Sequence, residues 1–326
     1  MIRYLGRRVL NYALLLFVAV SLTWVLAATQ LNPRALFQLR QPPIDPEIIE
    51  DQLLRYNLSE NVPLVQRYWT WLSGVLRGDW GYSPLGVSVA EQISARMWVS
   101  LRLLLIGTLL GIILGVAFGA WTATRQYRVP DRVVTGISLL IISTPAFVIG
   151  HVTQIGATWV NNVTGTRTFE FIGESGDVGD YPLADLVDRA QHLLLPTLVL
   201  IVIGAASMSR IQRNLMLDSL GADYVRTARA KGLRESRAVM KHALRTALIP
   251  TGTYVAFSVA TMFTGATFTE RIFNFPGIGQ YGVDTITNRD VNGVVAVTAF
   301  AGVCVLVGAI LSDIMVAILD PRVRLG

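Results

Sequence analysis

Residues 103–124, LLLIGTLLGIILGVAFGAWTAT, contain no charged side chain. A run of this length limits the possible folds, because a helix that crosses the hydrocarbon core of a bilayer needs roughly 20 mostly apolar residues. Five more uncharged runs of comparable length occur along the chain. They are residues 9–33, 133–166, 190–209, 246–269 and 291–312. The sequence therefore predicts an all-α, polytopic membrane protein with six transmembrane helices. The first run exceeds the 7–15 apolar residues of a signal peptide, which favours a retained span.

The overall composition agrees with a membrane protein. Of the 326 residues, 52% are hydrophobic and 15% are charged, which is too apolar for an ordinary soluble domain. Cys304 is the only cysteine, so an intramolecular disulfide and a cysteine-based metal cluster are both excluded. Three histidines, His151, His192 and His242, lie far apart, and none has the HExxH spacing of a zinc protease. The sequence predicts no catalytic residue and no metal site.

Charge distribution predicts the orientation of the spans. If both termini are cytoplasmic, the inner segments hold 17 basic and 6 acidic residues, a net charge of +11, while the outer segments carry −5. This asymmetry follows the positive-inside rule. It also accounts for the basic character of the chain, so no nucleic-acid partner is needed to explain it.

The domain organisation follows from these spans. Residues 1–33 form the amino terminus and the first span, residues 34–98 a small outer subdomain, and residues 99–326 a core with five spans. Asp45-Pro46-Glu47 predicts a capped helix in the subdomain, and a second helix is predicted over residues 63–76. Their predicted apolar faces are Ile48, Ile49, Leu53 and Leu54, and Leu64, Tyr68, Leu72 and Val75. Nearby tryptophans are typical of an interfacial aromatic belt or of a surface that receives an outer partner.

Two further outer segments are distinctive. Residues 164–189 carry six acidic side chains with interleaved glycines, but they lack the EF-hand spacing and its closing glutamate. A solvated loop is the prediction. The segment from Phe273 to Gly279, FNFPGIG, contains a Pro-Gly turn flanked by aromatic residues, which can fold back towards the membrane.

The predicted inner segment 210–245 differs from the outer segments because it is basic and contains a helix-forming stretch. It contains ADYVRTARAKGL, residues 222–233, a basic and alanine-rich stretch with one glycine. We expect Tyr224 to Lys231 to be helical, with Tyr224, Thr227 and Ala228 on one face, and Gly232 to end the helix in a left-handed cap. A second helix over residues 235–248 is expected to run into Pro250. Physical chemistry alone leaves two roles open, which are contact with lipid headgroups and docking onto a soluble partner.

The chain resembles the permease subunits of ATP-binding-cassette importers, in the oligopeptide/dipeptide/nickel branch. DYVRTARAKGL, residues 223–233, is similar to that branch's cytoplasmic coupling motif, although only Ala228 and Gly232 match the general Glu-Ala-Ala-x-x-x-Gly form. Other similar motifs lie along the whole chain in the family's order. They are RYLGRR at 3–8, GDWGYS at 78–83, STPAF at 143–147, FPGIG at 275–279, NRD at 288–290 and LDPRVR at 319–324. The compact amino terminus and the long first outer segment resemble those of the first of two paired permease subunits.

The resemblance implies a division of labour between subunits. A homologous second permease would supply the other half of the pathway, an extracytoplasmic substrate-binding protein would deliver the solute, and cytoplasmic ATP-binding subunits would use ATP and Mg. The chain itself would bind no cofactor, in agreement with the lack of a GxxxxGK[ST] phosphate loop. The residues expected to couple to the ATPase are Tyr224, Arg226, Thr227, Ala228, Arg229, Ala230, Lys231, Gly232 and Leu233. The small side chains of Ala228 and Ala230 would allow the docking face to approach the ATPase closely.

The solute pathway is less defined by the sequence. Pro145, His151 and Glu270 lie in or near predicted spans and are candidates to line it, whereas helix packing for Pro145 and loop anchoring for Glu270 are the simpler interpretations. Peptides are the expected solute, with nickel or another small solute as the alternative. Two other classes fit the sequence less well, an intramembrane enzyme and a stand-alone secondary transporter or channel. The first lacks a G-x-S-x-G elbow, and the second lacks an evident internal repeat.

Overall fold

A computed structural model describes residues 2–38, 42–176 and 183–319. In these residues the regular elements are helices, and an isolated antiparallel bridge joins Tyr82 and Ser88. The structure confirms the predicted all-α fold. The family-like carboxyl end after residue 319 and the acidic residues Asp177 and Asp180 lie outside the described residues.

Twelve α-helices account for most of the described chain, with a short 3-10 helix at Pro33–Leu36 and a π-helical turn at Val239–Leu244. The α-helices are α1 (Ile2–Gln30), α2 (Pro46–Arg55), α3 (Leu64–Val75), α4 (Val89–Ala123), α5 (Val129–Ser143), α6 (Ala146–Thr164), α7 (Ala184–Leu220), α8 (Asp223–Ala230), α9 (Glu235–Ala238), α10 (Arg245–Ile272), α11 (Ile278–Thr287) and α12 (Val291–Leu319).

Four described helices are long and apolar enough to cross a membrane. They are α1 over Gly6–Gln30, α4, α7, and α12 over Val291–Leu311, and the bent pair of α5 and α6 counts as a fifth when taken as one span. The remaining predicted run, residues 246–269, lies within the 28-residue helix α10. The total of six spans and the cytoplasmic position of the termini stay predictions.

The third predicted span is not a single helix. The chain bends by 108° between α5 and α6, with Thr144 extended (φ −93°, ψ 127°) and Pro145 directly before α6. Proline has no N–H to donate, and it disfavours helical backbone in the residue before it. Ser143-Thr144-Pro145 therefore divides the apolar run into two helices.

Contacts between the helices define two units. The first, here called the core unit, comprises residues 102–275 and 305–319, and the second, the amino-terminal unit, comprises residues 2–101 and 276–304. Buried side chains of α1, α2 and α3 and of the start of α12 form the apolar centre of the amino-terminal unit. The division into a first span, an outer subdomain and a five-span core, with boundaries after residues 33 and 98, stays a prediction.

Helices α2 and α3 of the amino-terminal unit confirm part of the sequence prediction. The Asp45 carboxylate caps α2 by accepting the Glu47 N–H at 3.0 Å. The apolar faces differ from expectation, because Ile48 and Leu54 are exposed whereas Arg67 and Trp71 of α3 are buried. Trp71 stacks on Trp24 of α1 with ring centroids 5.7 Å apart. This tryptophan is therefore part of a packed core and not of an interfacial belt.

Glycines of α4 bring it close to α7 within the core unit. A methyl group at Gly119 would lie 2.4 Å from the Ser209 carbonyl oxygen, and one at Gly115 would lie 2.6 Å from Met208 Cβ. Small residues four positions apart let membrane helices pack with their backbones in near contact. The Gly115 and Gly119 positions thus determine which face of α4 meets α7.

Candidate functional site

Helix α8 begins three residues after α7 ends, and it stops at a left-handed glycine. Gly232 has φ +84°, and the Leu233 N–H donates to the Ala228 carbonyl oxygen at 3.3 Å. This hydrogen bond closes a Schellman-type cap, which requires the left-handed conformation that glycine adopts without steric cost. The structure confirms the cap that the sequence predicts at Gly232.

One face of α8 packs against the core unit. Val225 and Ala228 are buried and contact a cluster formed by alanines and Met216. The other buried members of this cluster are Ala123, Ala238, Ala243 and Ala247. Ala228 therefore faces this protein's own core, which corrects its expected place on a docking face beside Tyr224 and Thr227.

The opposite face of α8 is open. At 100° per residue, Arg226, Thr227 and Ala230 lie opposite Val225 and Ala228, and all three are exposed, as are Tyr224, Arg229 and Lys231. Arg226 approaches Asp223 at 3.9 Å with both side chains largely solvated, a kind of contact that contributes little to stability. The cationic groups of this face are thus held loosely and remain accessible.

The second helix predicted in the segment 210–245 is longer than expected. Helical structure continues from Glu235 through the π-helical turn into α10 and passes Pro250, where the sequence predicts a stop. Proline costs the helix one backbone hydrogen bond, and membrane helices tolerate this loss because neighbouring groups satisfy the freed carbonyl. The segment that follows α8 is therefore directly continuous with a helix of the core unit.

An ion pair that is not predicted from the sequence fixes the segment before α8. Arg213 Nε and Nη2 donate to the two carboxylate oxygens of Asp131 at 2.6 and 2.8 Å, and the Tyr127 N–H donates to the same carboxylate at 2.9 Å. Asp131 is 2% exposed. The sequence offered one signal for this pair, an acidic residue just before an apolar run together with an arginine in the basic segment 210–245. The pair joins α5 to the end of α7 that leads into α8.

The structure does not bring the three pathway candidates together on an open surface. Pro145 and His151 are exposed, whereas Glu270 is buried at 1% exposure. Gln154 connects their helices, because its amide accepts from His151 Nδ1 at 3.2 Å and donates to the Ile272 carbonyl at 2.9 Å. The carbonyl of Glu270 accepts the Phe275 N–H at 2.7 Å. This backbone hydrogen bond closes the turn after α10, whereas the loop-anchoring and pathway roles of the Glu270 side chain stay predictions.

Comparison with known proteins identifies the family. Residues 107–325 match the family described as "Binding-protein-dependent transport system inner membrane component". The chain belongs to this family. The match extends over all of the described core unit from Gly107 onward, including α8 and the bent pair, and it places the permease in the inner membrane of a bacterial transport system.

Full-length relatives of this permease include three bacterial transport proteins. The oligopeptide transport system permease protein OppB of Mycobacterium tuberculosis (strain ATCC 25618 / H37Rv) is 45% identical over 331 residues, covering 100% of both chains. AppB of Bacillus subtilis (strain 168), also an oligopeptide transport system permease protein, is 33% identical, covering 99% of this chain and 100% of its own. The dipeptide transport system permease protein DppB of Lactococcus lactis is 32% identical and covers 100% of both chains.

Proposed function

We propose that this permease forms half of the transmembrane pathway of an ATP-driven importer whose solutes are oligopeptides or dipeptides. The family match supports the importer class. Full-length relatives that are named as oligopeptide and dipeptide permeases favour peptides over nickel or another small solute. A stand-alone secondary transporter or channel would leave the exposed basic face of α8 without a role.

The proposed importer contains three kinds of partner. A homologous second permease completes the pathway, an extracytoplasmic substrate-binding protein supplies the peptide, and ATP-binding subunits hydrolyse ATP with Mg on the cytoplasmic side. This chain contributes no cofactor and no catalytic residue to that hydrolysis. Membrane lipid surrounds its apolar spans.

Within this importer, α8 is the element that contacts the ATPase. The observation that carries this assignment is the division of the helix into a buried face at Val225 and Ala228 and an exposed face at Arg226. The buried face attaches α8 to the core unit, so a displacement of α8 is passed to α7 and α10. The exposed guanidinium and ammonium groups can pair with carboxylates of a partner. Alternating access would then follow from rigid-body movement of the spans.

Charge reversal at the exposed face tests this assignment. In the complex purified with its ATPase, Arg226→Glu should leave the fold intact, since exposed substitutions usually change stability by only about 0.5 kcal/mol. It should reduce both ATPase recovery and peptide uptake about tenfold, equivalent to about 1.4 kcal/mol of binding. Arg132→Glu is the matched control, because Arg132 is also exposed on the predicted inner side but lies on α5. Equal losses in both variants would contradict a specific role for α8.

The substrate class needs a separate experiment. Uptake of a radiolabelled peptide into proteoliposomes that contain the complete complex should depend on ATP and on the binding protein. Unlabelled oligopeptides or dipeptides should compete, and nickel ions should not. Competition by nickel alone would overturn the peptide assignment while leaving the importer class in place.

A further inference from the structure

Three side chains with metal-binding chemistry meet beside the start of α7. Glu170 lies in the loop after α6, whereas Asp188 and His192 lie one turn apart on α7. One donor atom from each of the three side chains lies within 4.8 Å of the others. Asp188 and His192 are 5% and 3% exposed, and Glu170 is partly buried. The prediction of a solvated acidic loop is therefore wrong for Asp188, which is a buried helical residue.

Hydrogen bonds orient two of these side chains. His192 Nδ1 lies 2.9 Å from the Asp188 carbonyl oxygen and 3.3 Å from Asp188 Oδ1. A carbonyl oxygen only accepts, so Nδ1 carries the hydrogen, and in the neutral ring Nε2 keeps its lone pair. The Gly176 N–H donates to Asp188 Oδ2 at 2.9 Å. Histidine ligands of metals commonly donate their other N–H to a backbone carbonyl in this way.

The three side chains surround a common point next to Gly176. A methyl group on Gly176 would lie 3.1 Å from Glu170 Oε2, 3.1 Å from His192 Cε1 and 3.4 Å from Asp188 Oδ1. Contacts this short are tighter than ordinary van der Waals packing, so a side chain on Gly176 would crowd all three groups. The convergence involves two segments, the loop and α7, and so it does not arise from helical spacing alone.

We propose that Glu170, Asp188 and His192 bind a divalent transition-metal ion, with Zn²⁺ as the best match. One imidazole nitrogen and two carboxylates supply three protein ligands, and water completes a four-coordinate zinc site. Calcium and magnesium fit less well, because both prefer oxygen ligands throughout. The ion would fasten the loop 165–176 to α7, on the predicted outer side of the membrane. An ion pair of Asp188 with protonated His192, without metal, is the competing explanation.

Zinc titration of the full-length permease tests this site. The chain is purified in detergent through a tag without histidines, stripped with a chelator, and titrated with zinc chloride against a fluorescent zinc indicator. We expect one tightly bound Zn²⁺ per chain. Glu170→Gln and Asp188→Asn should each weaken zinc binding by more than about 100-fold, because the loss of a direct ligand should exceed the roughly 10- to 100-fold cost of losing a hydrogen-bond partner of a ligand. Glu174→Gln is the matched control, because Glu174 lies in the same loop and pairs with Arg102 and Arg189 instead, and it should retain wild-type affinity.

A substitution that leaves all three ligands in place provides a second test. Gly176→Ala introduces only a methyl group into the shared space, and it should also lower zinc affinity, while Gly156→Ala, which meets no atom within 4 Å, should not. X-ray absorption of the zinc-loaded protein should show one imidazole and oxygen ligands at about 2.0–2.2 Å. Absence of stoichiometric zinc binding by the wild type, or equal affinity in Glu170→Gln and Glu174→Gln, would overturn the proposal. The readout is zinc bound per chain, so it is independent of the importer proposal.

Discussion

At the scale of single residues, the backbone of Gly232 holds the turn after α8 in a left-handed conformation. Leucine at this position would be strained by roughly 1–2 kcal/mol, because its Cβ approaches the following carbonyl oxygen. Space for the side chain is not the obstacle, since no atom beyond the adjacent residues lies within 4 Å of the Cβ position. We expect Gly232→Leu to insert and fold but to displace α8, and to reduce ATPase recovery and transport in the purified complex.

Asparagine is the control for the backbone effect at Gly232, because it tolerates the left-handed conformation better than other non-glycine residues. Gly232→Asn should keep most of the transport activity. If the leucine variant transported peptide and retained its ATPase at wild-type levels, α8 would not be the coupling element.

The carboxyl of Asp290, just before α12, should make stability depend on pH. It is 2% exposed, and burial raises its pKa from about 3.8 to about 6. The folded state thus binds this proton more tightly than the unfolded state. The resulting stabilisation, about 3 kcal/mol, is complete below pH 3.8 and is lost as the pH rises through 6. The melting temperature in detergent should therefore fall from pH 4.5 to pH 7.5.

Asp290→Asn isolates this contribution from the other titrating groups. Its amide oxygen can still accept the Gly293 N–H, which Asp290 Oδ1 accepts at 2.9 Å, but it carries no charge. We expect a flatter pH profile and a higher melting temperature than the wild type at pH 7.5. Asp51→Asn, at an exposed pair with Arg55, should keep the wild-type profile. Parallel profiles for the wild type and Asp290→Asn would contradict the prediction.

At the scale of helices, the ion pair between Asp131 and Arg213 joins α5 to α7. Asp131→Asn leaves the mostly buried guanidinium without its anionic partner, and it should lower the free energy of unfolding by about 3 kcal/mol. The double variant Asp131→Asn with Arg213→Met should recover part of this loss, because no charge is then left without a partner. Chemical denaturation in detergent measures both values. Additive losses in the double variant would show that the two side chains do not stabilise the fold as a pair.

The contact between α4 and α7 depends on the absence of a side chain at Gly119. Since a Cβ there would lie 2.4 Å from a backbone oxygen, Gly119→Ala should separate the helices and cost about 1–3 kcal/mol through overpacking. Gly136→Ala on α5 meets no atom within 4 Å and should be neutral or slightly stabilising. Thermal unfolding of both variants in the same detergent compares them directly, and equal melting temperatures would contradict close packing at Gly119.

At the scale of the whole molecule, the proposed function predicts the composition of the native assembly. Gentle purification from membranes, through a tag on this chain, should recover a second permease, ATP-binding subunits and a binding protein, as measured by mass spectrometry. A homo-oligomer of this chain, obtained under conditions that preserve a control complex, would favour a stand-alone transporter.

Several elements could be predicted because their causes are local in sequence. The cap of α2 follows from Asp45 before Pro46, and the end of α8 follows from Gly232. The face of α8 that is buried could not be predicted in the same way. Tyr224, Thr227 and Ala228 share a side of the helix, but a cluster that includes Ala123 of α4 and alanines of α9, the π-helical turn and α10 selects Val225 and Ala228. That choice depends on residues distant along the chain.

The sequence by itself determined the all-helical membrane architecture, the family and the basic character of the segment 210–245, because apolar run length, charge pattern and motif order do not depend on how helices pack. Only the tertiary structure decided that Asp131 pairs with Arg213 and that Glu170 approaches Asp188 and His192. These groups are 82 residues apart in the first case and lie on separate segments in the second. Long-range packing brings such groups together, and no local preference of the chain encodes it.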